Sequence, residues 1–418
     1  MAARRARRLL VVVALAALTA ASATACLSEE EIDAQVHLNQ IQVMGTHNSY
    51  HEVSTVPERT LRRSIIGADF EDEFTYTHRP LDVQFQSERI RQIELDVFVD
   101  TDGGLYGNPL IRQVTGGGAY DPAMAAPGMK VLHAQDVDYH SNCLTLVACL
   151  TTVKTWSDAN PRHVPIAILL ELKDDIIDIG SFTFVHPQPF DAAAMDALDA
   201  EIRSVFGPDD LITPDDVRGS RPTLEQAVLQ DGWPTLGESR GKVMFLMDNG
   251  GSYRTRYLSG HPSLQGRVLF TNANPGDADA AFVERNDAVG SQAQIRSLVR
   301  AGYVVRTRAD SPGNEVATGD TSTFEAALAS GAQWVSTDYP VPGYSSSFGT
   351  DYVAQLPDGA VVRCNPVNAV PGCYALGIES IFTATDPPPP IPALRSRGPR
   401  GRPRPLDWCG PSTEEHPR

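Results

Sequence analysis

Short runs of apolar and β-branched residues recur eight times along the chain: "IQVMGT" (41–46), "QIELDVFV" (92–99), "MKVLHA" (129–134), "PIAILLELK" (165–173), "GKVMFLMDN" (241–249), "GRVLFTNAN" (266–274), "GYVVRTRAD" (302–310) and "AQWVSTDYP" (332–340). Several are apolar over their whole length, as strands covered on both faces are. Most of the gaps hold helix-like material: "PLDVQFQSERIR", "LTTVKTWSDANP", "DAAAMDALDAEIRSVFG", "SQAQIRSLVRAG" and "STFEAALASG". Eight strands alternating with helices predict a parallel (β/α)8 TIM barrel.

Polar residues collect where these runs end: His47 and Asn48, Glu94 and Asp96, His133, Glu171 and Lys173, Asp248, Asn272, Arg306 and Arg308, Asp338. A barrel delivers its functional groups from the C-terminal ends of its strands into the loops that follow. An open doubly wound sheet competes with this reading, because its strand ends are also polar where loops begin. His47 and Asn48 pose a geometric question, since neighbours within a regular strand point to opposite faces. Both can enter one site if the strand stops there and Asn48 already belongs to the loop.

The two ends of the chain have a different texture. "MAARRARRLL" followed by "LLVVVALAALTAA" and "ATA" ahead of Cys26 reads as a secretory signal peptide over residues 1–25. Secretion is the expectation, with lipid attachment through Cys26 as the alternative. Residues 26–345 are expected to form the catalytic barrel. From 346 to 418 the chain turns rich in Gly, Ser and Pro and ends in "TDPPPPIPALRSRGPRGRPRPLDWCG". This reads as a partly disordered extension.

A net charge of -17 argues against nucleic acid, which requires a cationic footprint. It also disfavours polybasic docking on an anionic membrane, leaving transient contact with the membrane surface. Nothing in the sequence calls for a partner subunit, and a monomer is expected. The six cysteines suit an oxidising compartment. Cys143 with Cys149, and Cys364 with Cys373, are natural local bridges; Cys26 and Cys409 remain open as a pair or as two separate residues.

Glu94 and Asp96 leave the same face of one strand, roughly 7 Å apart at their Cα atoms. Two carboxylates that close repel unless a cation sits between them. Glu171 and the amide oxygen of Asn48 complete a set of four hard oxygen donors at the barrel mouth. Oxygens without imidazole or thiolate select Ca2+ or Mg2+, and a site with room for water and substrate suits Ca2+.

In this combination the chain resembles the calcium-dependent phosphatidylinositol-specific phospholipases C, particularly the secreted single-domain members. The resemblance rests on "MGTHNSYH", "QIELDVFVD", "VLHAQD", "ILLELKDD", "VVRTRAD" and "VSTDYP", over roughly residues 38 to 345. It implies that Asn48, Glu94, Asp96 and Glu171 bind Ca2+ and that His47 and His133 are the catalytic pair. It also implies cleavage of a phospholipid or soluble inositol phosphodiester to diacylglycerol and an inositol phosphate. His47 would stabilise the phosphorane and His133 would protonate the leaving oxygen, with Glu94 and Glu171 both open as the base. One departure is the glycine-rich loop "DGGLYGNPLIRQVTGGGAYDPAMAAPG" between Asp96 and His133, larger than a bare barrel needs and a place to shape a different headgroup pocket.

Lys173 shares a face with Glu171 and is open between a phosphate contact and an internal ion pair. Arg306 and Arg308 share a face, and one of them could hold an inositol phosphate or hydroxyl through a forked contact. Asp338 is open to a role as a turn cap. His51, His78, His140, His163, His186 and His261 read as surface or loop histidines. The rival hydrolase is a glycerophosphodiester phosphodiesterase, which usually carries Arg-Gly after the first histidine where this chain has Asn48-Ser49. A rival of another class is a catalytically silent barrel that binds a sugar or lipid headgroup.

Overall fold

The computed structural model describes residues 26–67, 71–177, 183–374 and 378–379. The expected signal peptide, Cys409 and the Pro-rich end of the chain lie outside the described residues. Ten strands follow in chain order: β1 (Ile41–Thr46), β2 (Gln92–Phe98), β3 (Lys130–Val131), β4 (Ile166–Leu172), β5 (Val243–Met247), β6 (Leu269–Thr271), β7 (Phe282–Glu284), β8 (Val304–Arg308), β9 (Trp334–Thr337) and β10 (Val362–Cys364).

Eight of them form one parallel path in the order β6-β5-β4-β2-β1-β9-β8-β7. A parallel bridge between Asn272 and Phe282 brings the two ends of the path together. The result is a nearly closed barrel wrapped by helices, as the alternation of runs predicts. The strands are buried almost from end to end, which is why β4 reads "IAILLEL" with no polar face until Glu171. At Gly45 a Cβ would lie 1.9 Å from the Gln92 side-chain oxygen, so glycine is what lets β1 approach β2.

The helices start and stop for visible reasons. Thr145 caps the helix Leu146–Ala159 and Asp191 caps Ala192–Val205 through side-chain oxygens that accept backbone N–H groups. Gly302 and Gly331, both left-handed, end Gln292–Ala301 and Ser322–Ser330.

Two strand expectations are corrected. "MKVLHA" contributes only β3, which runs antiparallel to the end of β2 and stands outside the parallel path. The remaining barrel strand is β7, whose three residues make too short a run to stand out. Chain packed on the barrel also continues past residue 345: β10 pairs antiparallel with the start of β1, and Tyr352, Ala354 and Leu356 are buried. The disulfides Cys143–Cys149 and Cys364–Cys373 both form.

Candidate active site

β1 ends at Thr46, and Asn48 turns into the left-handed region with φ of 42°. That turn answers the geometric question raised by the adjacent pair. Thr46 Oγ1 and Ser49 Oγ lie 2.6 Å apart, and Ser49 Oγ accepts the backbone N–H of Glu94 at 2.8 Å, tying the turn to β2. The Asn48 amide nitrogen donates to Tyr76 Oη at 2.8 Å, which fixes the orientation of the amide. The amide oxygen Oδ1 is buried with no hydrogen-bond donor.

Register places Asp96 directly opposite Glu171 on the neighbouring strand, with Glu94 one pleat repeat earlier. Glu94, Asp96 and Glu171 each offer an oxygen within 4.8 Å of the others. Both carboxylate oxygens of Asp96 are buried, with the Lys173 ammonium as the neighbouring charge. Burial raises the Asp96 carboxyl well above its ordinary pKa, against the pull of Lys173. Burial also raises Glu94 to about 7, although the Arg306 guanidinium opposes the shift. Lys173 Nζ lies 2.6 Å from Glu171 Oε1 and 3.2 Å from Asp96 Oδ2, so it forms the internal ion pair.

Three carboxylates within 4.8 Å of one another, together with an Asn48 amide oxygen that is buried without a donor, are the chemistry of a hard-cation site. The donor set contains neither imidazole nor thiolate and fits Ca2+. The family model of calcium-dependent phosphoinositide phospholipase C matches residues 36–366. The chain belongs to that family. It is therefore a calcium-dependent phosphodiesterase of the phospholipase C type.

Solved structures of phospholipases C are also similar. The calcium-dependent phosphoinositol-specific phospholipase C of Pseudomonas sp., in its myoinositol complex, shares 16% identity, with 82% of this chain and 99% of that one covered at a TM-score of 0.48. The phosphatidylinositol-specific enzyme of Streptomyces antibioticus shares 17%, with 75% and 98% covered at 0.45. Among curated proteins none matches the chain.

In this phospholipase C, His47 and His133, the two histidines expected to act together, are each held by a buried carboxylate. His47 Nδ1 lies 3.0 Å from Asp338 Oδ1, which leaves Nε2 near Glu94 Oε1 at 3.7 Å and Arg308 Nη1 at 3.3 Å. Burial, helped by Arg308, lowers the His47 pKa to about 3 against the pull of Asp338. Asp338 is also buried, which works to raise its pKa, but His47, His78 and Arg308 outweigh burial and hold it well below the carboxylate range.

His133 Nδ1 lies 2.9 Å from Asp138 Oδ2, and burial lowers its pKa against the pull of that carboxylate. Asp138 Oδ2 also lies 2.9 Å from His51 Nε2, while Oδ1 accepts from Arg62 and Ser54.

Arg306 and Arg308 share a strand face but not an environment. Arg306 is buried, bonded to Glu94, Glu284, Asn286 and Ser336. Arg308 is 23% exposed and contacts His47 and Asp338. Of the histidines read as surface or loop residues, three lie in loops but are buried. His51 is fully buried between Asp138 and the stacked Tyr76 ring, His78 donates to the His47 carbonyl, and His163 is bonded to Ser157. Asp138, Tyr76 and Glu284 are the site residues that sequence reasoning missed. Asp138 carried a faint signal, five residues after His133 in "HAQDVD".

Proposed function

We propose that the protein cleaves phosphatidylinositol, or a closely related inositol phosphodiester, to diacylglycerol and an inositol phosphate outside the cytoplasm. The observation that supports this most directly is the pairing of His47 with Asp338 and of His133 with Asp138 around one oxygen-only acidic cluster. A silent binding barrel has no use for two imidazoles each oriented by its own carboxylate.

Glu94, Asp96, Glu171 and the Asn48 carbonyl would hold the calcium ion. Bound calcium would supply Lewis acidity, lowering the pKa of the attacking inositol hydroxyl and offsetting charge at phosphorus. The anionic phosphate would offset the Arg308 charge that helps keep His47 neutral; as the imidazolium, with Nδ1–H held by Asp338, His47 would donate Nε2–H to a phosphoryl oxygen, and Arg308 adds a cation beside it. Glu94 and Glu171 both remain placed to accept the hydroxyl proton. His133, oriented through Nδ1 by Asp138, gives its Nε2 proton to the departing glycerol oxygen and later takes one from water. Arg306 positions Glu94, and Lys173 balances Glu171 and Asp96 within phosphate reach. Two disulfides support action in an oxidising compartment, and among the described residues no helix is long and apolar enough to cross a membrane.

The test is release of diacylglycerol from phosphatidylinositol vesicles with calcium and with excess chelator, beside turnover of glycerophosphoinositol and glycerophosphocholine. Calcium-dependent lipid cleavage is expected. Preferential turnover of the glycerophosphodiesters would give the site to the rival hydrolase.

A further inference from the structure

A pocket of about 630 Å³ opens beside His133, within the size range of small-molecule sites. His133, Lys173, Gln135 and Asp175 form part of its wall; Arg62 also lines it but is occupied by Glu71 and Asp138. The other lining side chains are apolar. One wall is the helix Val56–Ile66, which turns Glu58 and Arg62 into the protein and Leu61 and Ile65 toward the pocket. The facing wall comes from Leu110, Ile111 and Val114, part of the glycine-rich loop whose size a bare barrel does not explain. That loop therefore helps to shape an apolar space.

We propose that this pocket holds one acyl chain of the lipid substrate, drawn out of the bilayer with its glycerol oxygen at His133. The inference rests on the phospholipase reading and extends it to the leaving group. A largely apolar cavity with the His133 imidazole and the Lys173 ammonium in its wall has the polarity of a single-chain amphiphile whose headgroup lies at the site. The rim agrees: Ile65 and Val114 are 41% and 54% exposed, and Ile176, next to the lining residues Asp175 and Ile177, is 56% exposed. Such residues suit contact with lipid. Charge offers no substitute, because a chain of net charge -17 is not drawn to an anionic surface. Apolar burial must supply the affinity.

The test uses a homologous series of n-alkyl phosphocholines, each below its micelle concentration, titrated calorimetrically into the full-length enzyme. Affinity should rise about fourfold per added methylene until the pocket is full, with a negative heat-capacity change. Val114→Trp plugs the mouth from the rim, and Ile65→Asp places a charge there. In variants that keep the wild-type melting temperature, binding of the longest chain should weaken about tenfold or more. The kcat/KM for phosphatidylinositol should fall further than that for a nitrophenyl inositol phosphodiester, which has no chain. Affinity flat with chain length, or variants that bind the chains normally, would overturn the pocket while leaving phosphodiester turnover intact. Absence of turnover on both phosphodiesters with calcium present would instead overturn the enzymatic reading, and the assignment to substrate with it.

Discussion

Asp138 holds His133 through a single oxygen: Nδ1 of the imidazole lies 2.9 Å from Oδ2, which lies 2.9 Å from His51 Nε2 as well. The carboxylate fixes Nδ1 as the bonded nitrogen and leaves Nε2 to exchange protons. Positioned proton transfer is typically worth about 10² to 10⁴ in rate. Asp138→Asn and His133→Ala should therefore each lose about that factor on phosphatidylinositol. Both should recover much of the loss on an ester whose nitrophenolate leaves without a proton. His47→Ala should be impaired on both substrates, because charge at phosphorus must be stabilised whatever leaves. Equal losses on the two substrates for His133→Ala would remove it as the acid.

Calcium should stabilise the fold as well as serve the reaction. A ligand bound only by the native state adds about 2.7 kcal/mol at one hundred times its dissociation constant. The melting temperature of the wild type should rise with calcium and fall back in chelator. Asp96→Asn should lose most of that rise. In chelator the same variant should melt close to the wild type, because it relieves the repulsion among three carboxylates within 4.8 Å of one another but weakens the Lys173 ion pair. A calcium-induced rise of full size in Asp96→Asn would take Asp96 out of the site.

The acidic cluster was legible in the sequence because strand periodicity is local: Glu94 and Asp96 share a face by spacing alone, and Glu171 ends a run long enough to be recognised. β7 was not legible, since three residues carry no period. Asp138 and Tyr76 escaped for a different reason. They sit in loops, where no period tells which way a side chain points, and their value comes from contacts with His51, His133 and Asn48 that only the folded chain creates. The buried histidines follow the same logic: composition cannot distinguish a solvated histidine from His51, which is enclosed by Tyr76 and Asp138.

Arg306 and Arg308 should separate stability from activity. Removing Arg306 leaves Glu94 and Glu284 without their shared cation in a buried setting, and breaking such a network typically costs about 3 to 5 kcal/mol. Arg308→Ala breaks a partly exposed contact and should change the unfolding midpoint far less while lowering kcat. Urea unfolding and turnover measured on both variants decide the matter. A stable, inactive Arg306→Ala together with an unfolded Arg308→Ala would reverse the division.

The last prediction concerns acid stability and Glu58, which lies away from the metal cluster. Glu58 accepts from Tyr139 Oη at 2.5 Å, His140 Nε2 at 2.8 Å and both the hydroxyl and backbone N–H of Thr55. Burial works to raise its pKa, but these bonds outweigh it and lower the value from 4.5 to about 2. A carboxyl depressed in the folded state gives stability that is complete above its unfolded pKa and is lost as pH falls through the folded one. The contribution should thus be full above about pH 5 and disappear between about 4.5 and 2. At about 1.4 kcal/mol per pKa unit its ceiling is roughly 3 kcal/mol. Glu58→Gln should be less stable than the wild type at neutral pH by up to that amount, and the gap should close on acidification. Urea unfolding of both proteins at neutral, mildly acidic and strongly acidic pH measures it. A gap that stays constant with pH would mean that Glu58 acts through shape alone and that its charge contributes nothing.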